Sequence, residues 1–178
     1  MKKAILSLLT IGALTYGASA QSSNAVNKIS VGADLAIPIG DLAIVSGLGL
    51  GGSVQGEFSV ANSLNLTASV GYLSFGYKKE YKDLFNQAGI DIKNQGAIPV
   101  KAGGKYYFGN VFYGAAELGA SFSTGEESAT AFVYAPSVGV NLALANKNSV
   151  DLGVRYESWS KQGSSSFIAV RAAFAFGL

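Results

Sequence analysis

Several residue types that support chemistry are missing from this chain of 178 residues. It has no cysteine and no histidine, which excludes thiol nucleophiles, disulfides, Cys/His zinc sites and histidine-dependent catalytic triads. Only 13% of the residues are charged, against about a quarter in typical proteins. The formal net charge of +2 is too small to indicate nucleic-acid binding. We therefore expect neither a metal site nor a cofactor site.

What is abundant is apolar surface and glycine, and the first twenty residues have their own pattern. Hydrophobic residues make up 49% of the chain and glycine occurs 23 times. Lys2 and Lys3 precede an apolar run over 4–14, which small residues follow up to Ala20. This pattern is typical of a secretory signal peptide cleaved after Ala20. The alternative, an uncleaved membrane anchor, is disfavoured because the run is too short to cross about 30 Å of hydrocarbon as a helix. Removing both lysines leaves eleven basic residues, equal to the eleven acidic ones.

The remaining chain, 21–178, alternates between apolar and small or polar residues with a period of two, as β-strands do. Eight such stretches occur, at 29–37, 48–60, 64–72, 98–108, 112–122, 132–142, 150–157 and 168–178. Most have the nine to eleven residues that a tilted membrane-spanning strand requires. No run of 18 apolar residues follows Ala20, so no transmembrane helix is predicted.

The two faces of these strands differ in charge. The apolar face carries none, and the opposite face carries nine charged residues: Asp34, Glu57, Lys101, Lys105, Glu117, Asp151, Arg155, Glu157 and Arg171. A Lys or Arg facing lipid costs about 2–4 kcal/mol near the midplane, whereas charges inside a closed barrel can pair. The sequence therefore predicts an all-β fold, a closed eight-stranded antiparallel up-and-down transmembrane β-barrel. A soluble secreted barrel has the same period, but its outer face would be charged.

Connections and aromatic residues favour the same architecture. The predicted connections alternate between long (38–47, 74–96, 123–130, 160–166) and short (61–63, 109–110, 145–149), as in outer-membrane barrels. Aromatic residues on the apolar face lie near both strand ends, where interfacial girdles form.

The nine inward charges, five acidic and four basic, could have a structural role or one of two functional roles. The interior of an eight-stranded barrel is just wide enough for side chains to fill, so we expect a plug of salt bridges. A narrow ion-selective pore and catalytic carboxylate pairs are the alternatives. Gly47, Gly49 and Gly52 have the spacing of a dinucleotide-binding loop but run into a strand rather than a helix, so no cofactor is predicted.

The second long connection is the most distinctive segment. Its apolar residues fall at helical spacing between charged ones, which predicts a short amphipathic helix or an ordered flap within 77–96. Such a loop could bind a partner, or pack its apolar stripe on the barrel rim or against lipopolysaccharide, with lysines pairing with phosphates. The candidate residues are Tyr77, Lys78, Lys79, Tyr81, Lys82 and Phe85.

Three stretches, GADLAIPIGDLA, IPVKAGGKYYFGNVFYGAAELGASF and FIAVRAAFAFGL, resemble the small outer-membrane β-barrel family. That family includes OmpX-like barrels and the OmpA barrel, and is abundant in Bacteroidetes-type bacteria. The resemblance implies export to the outer membrane of a Gram-negative bacterium and insertion by the barrel-assembly machinery. Members commonly end in an aromatic residue; here Phe174, Phe176 and Leu178 share the outward phase, so the signal is altered. The resemblance implies no catalytic activity.

These observations predict a non-enzymatic outer-membrane barrel with a structural and surface-presenting role. A narrow porin-like channel and an adhesin or partner-binding barrel acting through 77–96 remain as alternatives.

Overall fold

The computed structural model describes residues 27–87, 89, 94–125, 129–161 and 163–178. Eight strands and two short helices follow one another along the chain. In order, they are β1 (Lys28–Ile39), α1 (Leu42–Val45), β2 (Ser46–Ala61), β3 (Leu64–Tyr77), α2 (Lys79–Gln87), β4 (Gln95–Phe108), β5 (Phe112–Ser123), β6 (Thr130–Ala143), β7 (Ser149–Ser160) and β8 (Ser164–Gly177). The predicted signal peptide, 1–20, lies outside the described residues.

Every strand pairs antiparallel with the next one in sequence, and β8 pairs with β1 to close the barrel. Closure leaves no strand edge unpaired, which is the condition for a sheet to exist in lipid. The predicted fold class, a closed eight-stranded antiparallel up-and-down β-barrel, is confirmed. Neither helix in the described part of the chain is long and apolar enough to cross a membrane.

The two ends of the barrel differ. We call the end with connections 62–63, 109–111 and 144–148 the turn end, and the opposite one the loop end. The predicted contrast in length is weaker than expected, because strands extend further at the loop end. The first connection at the loop end is 40–45, which includes α1, and the last one there is only 161–163.

All three prolines of the chain coincide with interruptions of strand pairing. The β3–β4 ladder skips the position of Pro99, and the β6–β7 ladder skips that of Pro136. Pro38 lies where β1 has separated from β2 and pairs only with β8. Because proline has no N–H to donate, it is confined to edges and irregular positions of sheets. Pro38 therefore does not end β1, although the sequence stretch was predicted to end at residue 37.

The two faces separate as predicted. Outward positions carry large apolar side chains that are exposed, among them Val31, Leu50, Leu66, Val100, Leu118, Val138, Leu152 and Val170. All ten charged residues of the described strands point into the barrel, and nine of these are buried. A continuous apolar surface of this extent on a protein marks contact with a membrane or another protein.

Candidate functional site

The nine charges predicted to face inward all lie inside the barrel, in two clusters at different depths. Near the turn end, Lys105 bridges two carboxylates. Its Nζ lies 3.0 Å from Glu57 Oε2 and 2.6 Å from Asp151 Oδ2. Two hydroxyl donors also bind these carboxylates: Tyr107 donates to Glu57 over 2.7 Å and Tyr113 donates to Asp151 over 2.9 Å. The Lys105 ammonium also lies 3.9 Å from the centre of the Tyr113 ring, a cation–π contact.

The central cluster lies nearer the loop end. Glu157 is the hub: its Oε2 lies 2.6 Å from Lys101 Nζ and 2.6 Å from Arg155 Nε. The Arg155 contact is an ion pair without hydrogen-bond geometry. Arg155 also reaches Asp34 Oδ1 over 3.2 Å, and Ser53 donates to the other oxygen of Asp34 over 2.6 Å. Charges from β1, β4 and β7 are thereby tied together across the barrel.

Arg171 connects the two clusters. It donates to Ser53 over 2.9 Å and to Ser30 over 3.0 Å, and its Nη1 lies 3.8 Å from Asp151 Oδ1. The remaining acid, Glu117, accepts a hydrogen bond of 3.1 Å from Gln55. Eight of the nine charges thus form one connected network, the arrangement in which buried ions are tolerated.

Small residues opposite the long side chains make room for this network. Gly103 of β4 pairs with Glu117, and Gly119 of β5 pairs with Lys101. A Cβ added to either glycine would lie 2.7 Å from the facing Cα atom, closer than any relaxed contact. The narrow cross-section therefore requires glycine at both positions.

The clusters leave almost no free space. Two cavities between them measure about 20 and 30 Å³, enough for a water molecule or two. Ten charged residues with five of each sign face the interior once Lys28 is counted. Lys28 donates to Asn141 over 2.9 Å near the turn end. Sequence reasoning missed it, although it continues the inward phase of Ser30 and Asp34.

The interior near the loop end holds an apolar cluster, which the sequence analysis did not foresee. Phe75, Trp159 and Phe167 pack edge to face with ring centres 5.2–6.0 Å apart; we call them the aromatic cap. Trp159 joins the cap to the charges by donating a hydrogen bond of 2.7 Å to Glu157. Leu73, Ala36 and Ala169 are buried around it. Phe75 and Phe167 lay outside the predicted strands, so their inward phase went unnoticed.

The second outer connection contains the predicted helix, α2. No residue of α2 is buried; Tyr81 and Phe85 are half-buried, and Leu84 is 64% exposed. Lys79 and Lys82 are exposed, whereas Tyr77 ends β3 and Lys78 follows it. The Lys78 N–H donates to the Val45 carbonyl over 3.1 Å, which ties this connection to α1. The rest of the predicted loop, at 88 and 90–93, lies outside the described residues.

The described residues contain no group of three or more acidic side chains arranged to hold a metal ion. The acidic groups instead contact lysine, arginine and hydroxyl donors.

Comparison with known proteins places this geometry among solved structures. No family model matches the chain, and no curated protein matches it. Neisserial surface protein A superimposes with a TM-score of 0.58 at 16% identity, over 84% of this chain and 94% of that one. The fold is that of small outer-membrane barrels.

Two further structures agree. The attachment invasion locus protein Ail of Yersinia pestis gives a TM-score of 0.56 at 16% identity, covering 85% of this chain and 99% of Ail. The outer membrane protein OprG of Pseudomonas aeruginosa gives 0.55 at 11% identity, covering 86% and 96%. At these identities the likeness concerns the fold.

Proposed function

We propose that this chain is a non-enzymatic integral outer-membrane β-barrel of a Bacteroidetes-type Gram-negative bacterium. Its role is to reinforce the membrane and to present loops at the cell surface. The observation that supports it most is the outer face of the barrel, on which no described strand places a charge. In water such a surface would aggregate, whereas in lipid it is the surface with the lowest free energy.

The height of the apolar face matches a bilayer. On β5, Phe112 and Phe122 bound the outward apolar residues at the two ends. Their ten-residue separation corresponds to about 34 Å along the strand, or about 26 Å across the membrane at a tilt of about 40°. Outer-membrane barrels have an apolar band of about 25 Å.

The filled interior supports a structural role over a conducting one. An ion crossing the barrel would have to displace Lys105 and Arg155 from carboxylates at 2.6–3.2 Å. Breaking a buried ion pair costs about 3–5 kcal/mol. We therefore expect no conductance in planar bilayers, and defined conductance steps would favour the channel alternative.

Export and insertion follow from the same proposal. Residues 1–20 would direct the chain across the inner membrane. The outward Phe174 and Phe176 with Leu178 would be read by the barrel-assembly machinery. At the surface, Lys78, Lys79 and Lys82 would pair with phosphates of lipopolysaccharide.

The deciding experiment is cell fractionation combined with gel mobility. The protein should be recovered with the outer membrane and should migrate differently before and after boiling, because a closed barrel resists detergent until heated. Recovery in the soluble periplasmic fraction would contradict the proposal.

A second candidate function is binding of a partner through 77–96, since α2 stands at the loop end with no buried residue. Deleting 79–93 should abolish attachment of bacteria that display the barrel to a partner-coated surface. The deletion spares the described β3 and β4, so the heat-dependent gel shift should persist. Unchanged attachment would exclude this function for the loop.

A further inference from the structure

A cavity of about 500 Å³ lies at the loop end beside the aromatic cap. Phe75, Trp159 and Leu42 line one side of it. The other side is lined by small inward residues of β4, β5 and β6, including Ala97, Ser121 and Ala131. The space exists because large side chains from β3 and β7 face small ones from β4–β6, so the barrel is filled on one side only. Its volume falls in the range of about 300–1,000 Å³ that small-molecule sites occupy.

The lining indicates the kind of molecule that fits. Two aromatic rings and two alanines offer an apolar surface on which a further ring can pack edge to face. A cavity of about 150 Å³ accommodates benzene in another protein, so this one has room for a substituted ring.

One polar group in the wall has no partner. Ser121 is 3% exposed, and its hydroxyl makes no hydrogen bond to any described residue. A buried hydroxyl without a partner is costly. The Ser121 hydroxyl can therefore rotate toward a ligand without breaking a hydrogen bond to a described residue.

We propose that this cavity binds a small aromatic alcohol, whose ring packs on Phe75 and Trp159 and whose hydroxyl bonds Ser121. The site would be independent of whether the barrel presents loops or binds a partner. The ligand would bind only at the loop end, because the charged interior below the cavity is filled by side chains.

The chain supplies its own reporter, because Trp159 is the only tryptophan and lines the cavity. We would titrate the folded protein in phospholipid nanodiscs with 4-bromobenzyl alcohol, whose bromine quenches tryptophan fluorescence on contact. Its analogue 4-bromotoluene lacks the hydroxyl. Saturable quenching is expected from both, about three- to tenfold weaker for 4-bromotoluene, the factor that one hydrogen bond supplies.

Variants separate the cavity from the surrounding lipid. Ser121→Ala should remove the advantage of the alcohol and leave 4-bromotoluene unchanged, and Ala131→Phe should abolish quenching by both compounds. Ala102→Phe, an exposed substitution on β4, is the matched control and should change nothing. Folding is checked by the heat-dependent gel shift, and Ala97→Phe replaces Ala131→Phe should the latter not fold. Full quenching in a folded cavity-filled variant, or equal affinity for the two compounds, would overturn the proposal.

Discussion

Removing Lys105 should destabilise the barrel more than removing any surface lysine. The Lys105→Met variant keeps the length of the side chain but leaves Glu57 and Asp151 buried without their shared cation. Breaking a buried ion pair by removing one partner costs about 3–5 kcal/mol. The carboxylates keep hydrogen bonds from Tyr107 and Tyr113, so we expect the lower end, about 3 kcal/mol. This corresponds to roughly a 150-fold change in the folding equilibrium constant.

The assay is reversible unfolding in guanidinium, followed by the fluorescence of Trp159 in detergent or lipid. Lys79→Met is the control, because Lys79 is exposed on α2 and its loss should change the free energy of unfolding by less than about 0.5 kcal/mol. Adding Glu57→Gln and Asp151→Asn to Lys105→Met removes the unpaired charges and should restore most of the loss. If Lys105→Met matched the wild type, or if the triple variant were no more stable than the single one, the interior charges would not be coupled as described.

Three further substitutions test the outer face, the interior spacing and the aromatic cap. Leu118→Arg, in the middle of the outward face of β5, should cost about 2–4 kcal/mol in bilayers, whereas Leu64→Arg near the turn end should cost about 0–1 kcal/mol, both measured by chemical unfolding. Gly103→Ala should cost about 1–3 kcal/mol, because the added Cβ meets the facing backbone of β5; Gly104→Ala, with its nearest atom 3.8 Å away, should cost nothing measurable. Phe75→Ala should cost about 3–5 kcal/mol and shift the emission of the only tryptophan to longer wavelength.

Each of these has a contradicting outcome. Equal costs for the two arginine variants would mean that the outward face is not at lipid depth. Equal costs for the two alanine variants would mean that the barrel is wide enough at that level for a side chain. If Phe75→Ala left the free energy of unfolding unchanged, the aromatic cap would not stabilise the loop end of the barrel.

The period of two predicted the strands well because the two faces of each strand meet chemically different surroundings, lipid on the outside and other side chains on the inside. Alternation along one strand was enough to assign Val54 and Glu57 to opposite faces, without information about the neighbouring strands. Strand ends were harder, since Leu73, Phe75 and Phe167 are apolar residues on the inward face. Near the loop end part of the inner face is apolar like the outer one, so the contrast on which the prediction relied weakens there. The first stretch was also predicted to end at residue 37, whereas β1 continues through Pro38 to Ile39 beside β8.

The sequence by itself determined which residues of the predicted stretches face inward, that the outward face carries no charge, and that five acids would lie opposite a similar number of bases. These follow from alternation, which is local. It could not determine which charges meet, because partners such as Lys105 and Asp151 lie 46 positions apart and are brought together only by closure of the barrel. The tertiary structure also decided where the interior is full and where it is open. The cavity beside Trp159 exists because small residues of β4–β6 happen to lie at the same height as the aromatic cap, and height is fixed by strand register, which no single strand contains.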